Sequence, residues 1–151
     1  QTAWSIRNDP RVVLWERTNI RHLTPEKLFK DGDPIPDFAV ADLSFISLKM
    51  VLPSIKSLLQ SHRSELIVLV KPQFEVGKDK VGKGGVVRDH SLHAMAIEGV
   101  ANESKNYGWY PKGLIASPLK GPAGNQEYLL WMGDEVEGNI EIQKLLNVLC
   151  F

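Results

Sequence analysis

The sequence predicts an α/β protein with a largely parallel sheet and an antiparallel edge strand. Three observations carry this. Strand-like and helix-like runs alternate along the chain, the pattern of helices packed on a parallel sheet. ELIVLVK, residues 65–71, is a continuous apolar run of the kind buried on both faces. WYPKGLIAS and QEYLLWM then follow each other with no helix between them, which predicts the antiparallel edge.

The elements read in order. Residues 1–8 close a helix that Asp9-Pro10 stops. VVLWE, residues 12–16, is rich in β-branched and aromatic residues and reads as a strand. Thr24-Pro25 opens a short helix with an N-cap hydroxyl and a Pro at the first helical position. KDGDPIPD, residues 30–37, is a turn-rich connection. DFAVAD, residues 37–42, reads as a strand ending on Asp42. Leu48, Val51, Leu52, Ile55 and Leu58 recur at helical spacing, so a helix kinks or starts near Pro53. Asp89 caps a long helix over residues 90–107, with Leu92, Met95, Ala96, Val100 and Tyr107 inward and Gly108 closing it. The two late strands are joined by PLKGPAGN, and a last helix covers about residues 138–149.

Composition narrows the function classes. A length of 151 residues suits one domain with its own core. A hydrophobic content of 43% excludes wholesale disorder. The net charge is zero, so a nucleic-acid partner needs a local basic patch. The single cysteine, Cys150, forms no intrachain disulfide, which fits a reducing cytoplasm. No apolar run approaches the ~20 residues that span a bilayer, and QTAWSIRNDP is not a signal peptide. Beginning without Met inside an amphipathic segment, the chain reads as part of a longer protein.

In open α/β sheets ligands sit beyond the carboxyl ends of the strands. That singles out Glu16 and Asn19, Asp42 and Lys71. Lys71 ends an apolar run, where an unpaired cation is unfavourable, so it needs a partner or a task. GKDKVGKG, residues 77–84, comes close to a phosphate-binding P-loop. It lacks the closing Ser or Thr, and GGVVRD separates it from the next helix. Residues 71–88 nevertheless carry five cations against two anions. Such a run is either a plain solvated loop or a mobile grip for a phosphate backbone. His90 and His93 lie three apart without a third close ligand, so a solvated helix end is expected and no metal.

The segments NDPRVVLWERTNIR, DLSFISLKMVLP, VKPQFEVGK, VGKGGVVRD and ASPLKGPAGNQEYLLW together resemble the FtsJ-like, S-adenosylmethionine-dependent ribose 2′-O-methyltransferases, and among them the TlyA-type rRNA methyltransferases often named hemolysins. The resemblance covers nearly the whole chain. It implies a Rossmann-like methyltransferase sheet, here incomplete on its N-terminal side. It implies a Lys-Asp-Lys-Glu tetrad in which Asp42, Lys71 and Glu127 are the last three members. It places Asn19, Asp42 and Leu43 at S-adenosyl-L-methionine, though Asn19 stands where such enzymes often hold an acid. It sends Ser44, Lys78, Lys80, Lys83 and Arg88 toward RNA, so that ribosomal RNA or a ribosomal subunit is the partner. The family's glycine-rich cofactor loop, ribose-binding acid, first tetrad lysine and N-terminal RNA-binding domain have no match here, and the chain corresponds to the C-terminal part of the methyltransferase domain. Within this frame Lys71 serves either as a base or as a cation beside the forming alkoxide. A non-catalytic RNA-binding module and a membrane-active hemolysin are the competing readings.

Overall fold

The structure, a computed structural model, describes residues 3–60, 62–135 and 137–149. Cys150 lies outside the described residues. Helices α1 (Trp4–Arg7) and α2 (Pro25–Leu28) precede strand β1 (Phe38–Ala41). Helix α3 (Leu52–Ser57) leads to β2 (Glu65–Val70), and the single turn α4 (Pro72–Glu75) follows at once. Helix α5 (His90–Lys105), strands β3 (Tyr110–Ala116) and β4 (Tyr128–Gly133), and helix α6 (Ile142–Val148) complete the order.

The sheet runs β1-β2-β4-β3. β1 and β2 are parallel, and β4 is antiparallel to both β2 and β3. Three strands point one way and β4 opposes them, so the sheet, expected to be largely parallel, has one parallel pairing and two antiparallel ones. The antiparallel strand is not at the edge, as expected, but second from it. The reason is local. β3 carries Pro111, which donates no ladder bond, and its register breaks between Pro111 and Gly113. An outer position tolerates that. β4, with Leu130 and Met132 fully buried, takes the inner place.

VVLWE is not a strand. Val13 is 81% exposed, and residues 12–15 have no regular structure. β-propensity expresses fit to a half-buried pleat, and among the described residues no neighbouring strand offers one. β2 alternates between buried and half-buried positions rather than being buried on both faces. Leu66, Val68 and Val70 join Leu52, Ile97, Val100, Leu130 and Met132 in one core. The opposite sheet face carries Phe38, Val40, Trp131 and Ile115, all exposed apolar residues.

Pro53 sits in the first turn of α3, which follows a 3-10 turn over Leu48–Met50. The chain thus starts a helix at the proline instead of kinking one. The Asp89 carboxylate accepts from the Ser91 amide at 2.8 Å and caps α5. α5 buries His93, Ala96, Ile97, Val100 and Ala101. Met95, expected inside, is exposed, because it lies two residues from both His93 and Ile97 and so faces away from that stripe. Gly108 takes φ +79° and turns the chain into Trp109, which is fully buried.

Candidate active site

Asp42 directly follows β1 and Lys71 directly follows β2. β4 runs the other way, so its beginning, where Glu127 sits, reaches the same rim. Three neighbouring strands thereby deliver Asp42, Lys71 and Glu127 to one end of the sheet. Lys71 Nζ pairs with Asp42 Oδ1 at 2.7 Å and donates to Ser44 Oγ at 3.0 Å. The lysine side chain is 11% exposed and the aspartate 70% exposed. The buried cation is therefore paired, and the pair opens to solvent on its carboxylate side.

Glu127 is buried at 6% exposure and accepts from Gln73 Nε2 at 3.2 Å. Among the described residues it makes no direct ion pair with Lys71; its hydrogen-bond donor, Gln73, lies two residues past Lys71 in the α4 turn. Gly121 closes over the carboxylate so tightly that a Cβ there would stand 2.6 Å from Glu127 Oε1. Gln73 Oε1 is buried and has no hydrogen-bond partner among the described residues.

Asn19, Leu43 and Ser44 line one cleft of about 660 Å³ together with Trp15, Arg17 and Phe45. The Asn19 side-chain oxygen accepts from the Arg21 amide at 3.1 Å. Asp42 and Leu43 also line a 320 Å³ hollow along β1.

The Gly/Lys stretch folds into two 3-10 turns, Lys78–Lys80 and Lys83–Gly85, with Lys78, Lys80, Lys83 and Arg88 exposed. α5 begins only at His90, so no helix N-terminus meets the Gly-Lys pair and the P-loop reading fails. The foot of the loop is pinned. Asn125 accepts from the Val87 amide at 3.0 Å and donates to the Gly85 carbonyl at 2.8 Å. His90 is the exposed helix end expected, but His93 is buried. Its Nε2 lies 2.8 Å from the Val87 carbonyl and its Nδ1 2.7 Å from the Tyr128 hydroxyl. A carbonyl only accepts, so Nε2 carries a proton, and Nδ1 pairs with the Tyr128 hydroxyl. Burial pushes the Tyr128 hydroxyl up to about 12. Among the described residues no group of three His, Cys, Asp or Glu side chains is placed to hold a metal ion.

Two residues escaped the sequence reading. Phe45 is 90% exposed at φ +64°, a left-handed conformation unusual outside glycine. Its ring lies 5.2 Å from that of Phe74. Glu75 reaches back from α4 to the loop after β1, accepting from Ser47 Oγ at 2.6 Å and from the Leu48 amide at 2.7 Å. The available signals were an aromatic between the two serines after Asp42, and a carboxylate four residues after Lys71.

A polar rim at the ends of β1 and β2, with a cleft beside it, is where open α/β sheets bind their ligands. Residues 1–134 match the FtsJ-like methyltransferase model. The chain belongs to the FtsJ-like methyltransferases. It is 52% identical over 137 residues to the 16S/23S rRNA (cytidine-2′-O)-methyltransferase TlyA of Mycobacterium tuberculosis, covering 91% of this chain and 49% of that protein. It is 45% identical over 141 residues to YqxC of Bacillus subtilis, a protein named for rRNA methylation, again over 91% of this chain and 49% of the relative. A hemolysin-named protein of Lactococcus lactis has a crystal structure that superposes with a TM-score of 0.84 at 38% identity, over 99% of this chain and 71% of that one. The chain thus spans about half the length of these methyltransferase relatives. Members of this family are generally dependent on S-adenosylmethionine. No described helix is long and apolar enough to cross a membrane.

Proposed function

We propose that the full-length protein is a cytoplasmic S-adenosylmethionine-dependent methyltransferase acting on the ribose 2′-oxygen of ribosomal RNA, free or within a ribosomal subunit. This chain is the C-terminal part of its methyltransferase domain and supplies the catalytic rim. The observation that carries the reading is Lys71, buried at the tip of β2 yet paired at 2.7 Å with a carboxylate that faces solvent.

The residues present fit the cofactor. The cleft offers Ile20, Leu43, Ile46 and Val51 as an apolar wall for an adenine. Asn19 lends an amide, its oxygen already engaged by Arg21 and its NH₂ left as the donor. The Asp42 carboxylate suits a positively charged sulfonium. When bound, S-adenosylmethionine supplies the methyl group.

The protein's tasks are then alignment and charge. As an ammonium, Lys71 has three donors. Asp42 and Ser44 take two, and the third is left to hold the ribose oxygen while its hydroxyl proton leaves to solvent on the open Asp42 side of the pair, so that the alkoxide charge forms beside the cation. Asp42 fixes the direction of that ammonium. Glu127, held by Gln73 and walled in by Gly121, anchors the far side of the network and, with the partnerless Gln73 oxygen, gives a second lysine or a ribose hydroxyl its acceptors. Lys78, Lys80, Lys83 and Arg88 present a cationic surface for phosphates. Phe45, backed by Phe74, offers a flat face on which an unstacked base can rest.

The test uses the full-length protein with methyl-labelled S-adenosylmethionine and ribosomal subunits that lack the modification. Transfer of label, mapped to a ribose 2′-oxygen, supports the reading. Binding of RNA without any transfer would favour the non-catalytic module instead.

A further inference from the structure

We propose that Glu75 is a positioning residue for methyl transfer: it braces the loop that carries Ser44 and Phe45 against the turn that carries Lys71. The inference rests on the activity proposed above, but its geometry stands by itself.

Two segments meet at the rim. One is residues 42–48, after β1; the other is residues 71–75, the turn α4 with its leading lysine. They are tied at both ends. At the solvent end Lys71 Nζ donates to Ser44 Oγ at 3.0 Å. At the inner end the Glu75 carboxylate accepts from Ser47 Oγ at 2.6 Å and from the Leu48 amide at 2.7 Å. Lys71 and Glu75 are four residues apart on a rigid turn, and Ser44 and Leu48 four apart on the loop, so the ties form a closed frame. Between the two ties the loop carries the exposed Phe45, in its left-handed conformation and leaning on Phe74 from the same turn.

The choice of residue argues for more than loop fastening. Glu75 is half-buried, and burial raises its carboxyl proton affinity against the Ser47 hydroxyl, the Leu48 amide and nearby Lys49, which lower it. A carboxylate there is an expensive fastener where a neutral side chain would be easier to bury. What it adds is a two-atom head that meets two successive residues, Ser47 and Leu48, and so fixes direction as well as distance. Without it the loop pivots about the Lys71–Ser44 contact. The ammonium then loses its set direction, and Phe45 loses its support on one side.

The experiment compares Glu75→Ala and Glu75→Gln in the full-length protein, with labelled S-adenosylmethionine and unmodified ribosomal subunits. Gln accepts from the Leu48 amide through Oε1 and donates to the Ser47 hydroxyl, so it keeps the frame. Glu75→Ala is expected to lower kcat at least thirty-fold, with RNA KM and cofactor Kd within three-fold of wild type. Amide exchange of residues 44–48 should speed up ten-fold or more in the same variant. Glu75→Gln should restore both to within three-fold. A Glu75→Ala protein with kcat within two-fold of wild type would overturn the proposal. So would a kcat loss that Gln does not rescue, or one that comes with an equal loss of cofactor binding. A wild-type protein that transfers no methyl group refutes the activity instead, and the exchange measurement then still decides whether Glu75 braces the loop.

Discussion

Replacing Lys71 with Met separates the catalytic from the structural weight of the buried cation. Met keeps most of the aliphatic stem and removes the charge. The partner left behind, Asp42, is 70% exposed, so it stays hydrated when its cation goes. No charge is left buried and unpaired, and the cost of desolvating the lysine goes with it, so folding stability should change by about 1 kcal/mol or less. Catalysis responds differently. One charged donor aimed at a developing oxyanion is worth about 2.7–4 kcal/mol, or roughly 10²–10³ in kcat. The two effects should therefore differ several-fold in free energy. The assay pairs initial rates of methyl transfer with calorimetric titration of S-adenosylmethionine and thermal unfolding. The expected result is a kcat loss of that size with cofactor Kd nearly unchanged. A variant that retains more than a tenth of the wild-type kcat, or whose loss of activity tracks a loss of stability or cofactor binding, would refute the reasoning.

Other outcomes follow from the same geometry. Joint replacement of Lys78, Lys80 and Lys83 by Ala should weaken RNA binding and flatten its dependence on salt by about 2 logarithmic units per decade, at about 0.7 per phosphate contact, while cofactor titration stays unchanged. Phe45→Ala should raise the RNA KM roughly five- to hundred-fold if a base stacks there, a contact worth about 1–3 kcal/mol, and a KM within two-fold would remove Phe45 from the RNA path. Glu75 also predicts a pH effect of defined sign. Its folded-state proton affinity is raised above the ordinary 4.5, so the folded state holds the proton more tightly than the unfolded chain. Its contribution is full below about pH 4.5 and is lost as pH rises through the folded-state value. Urea unfolding should show Glu75→Gln gaining on wild type as pH rises above about 4.5, and a constant gap would contradict the assignment.

Much of the candidate site's placement was legible because strand ends announce themselves: an apolar run stops and a charged residue follows. Asp42 and Lys71 were found that way, and the ion pair between them explains how the lysine survives burial. Glu127 was carried by resemblance, and its hydrogen bond from Gln73 depends on a side-chain contact that no spacing encodes. The strand order was less legible. That β4 lies inside β3 follows from Pro111 and the break beside it, a signal present in the sequence but readable only as a preference for an edge. VVLWE shows the limit of propensity, since a strand needs a neighbour as much as it needs valines. His93 shows the limit of composition, since a histidine is welcome in a core once Val87 and Tyr128 satisfy both ring nitrogens. Glu75 and Phe45 escaped because their meaning lies in contacts between segments some 30 residues apart.

The order β1-β2-β4 has a metric consequence. Adjacent strands keep a spacing of about 4.8 Å, set by backbone hydrogen bonds. Asp42, Lys71 and Glu127 thus stand like graduations on a scale roughly 10 Å long, about the breadth of one nucleotide. Loop insertions leave that scale untouched. A one-residue slip of β2 does not: it carries Lys71 about 3.3 Å along the strand and turns it to the opposite face. Tolerance to change should therefore be generous in the connections and close to nil in the phase of the ladder.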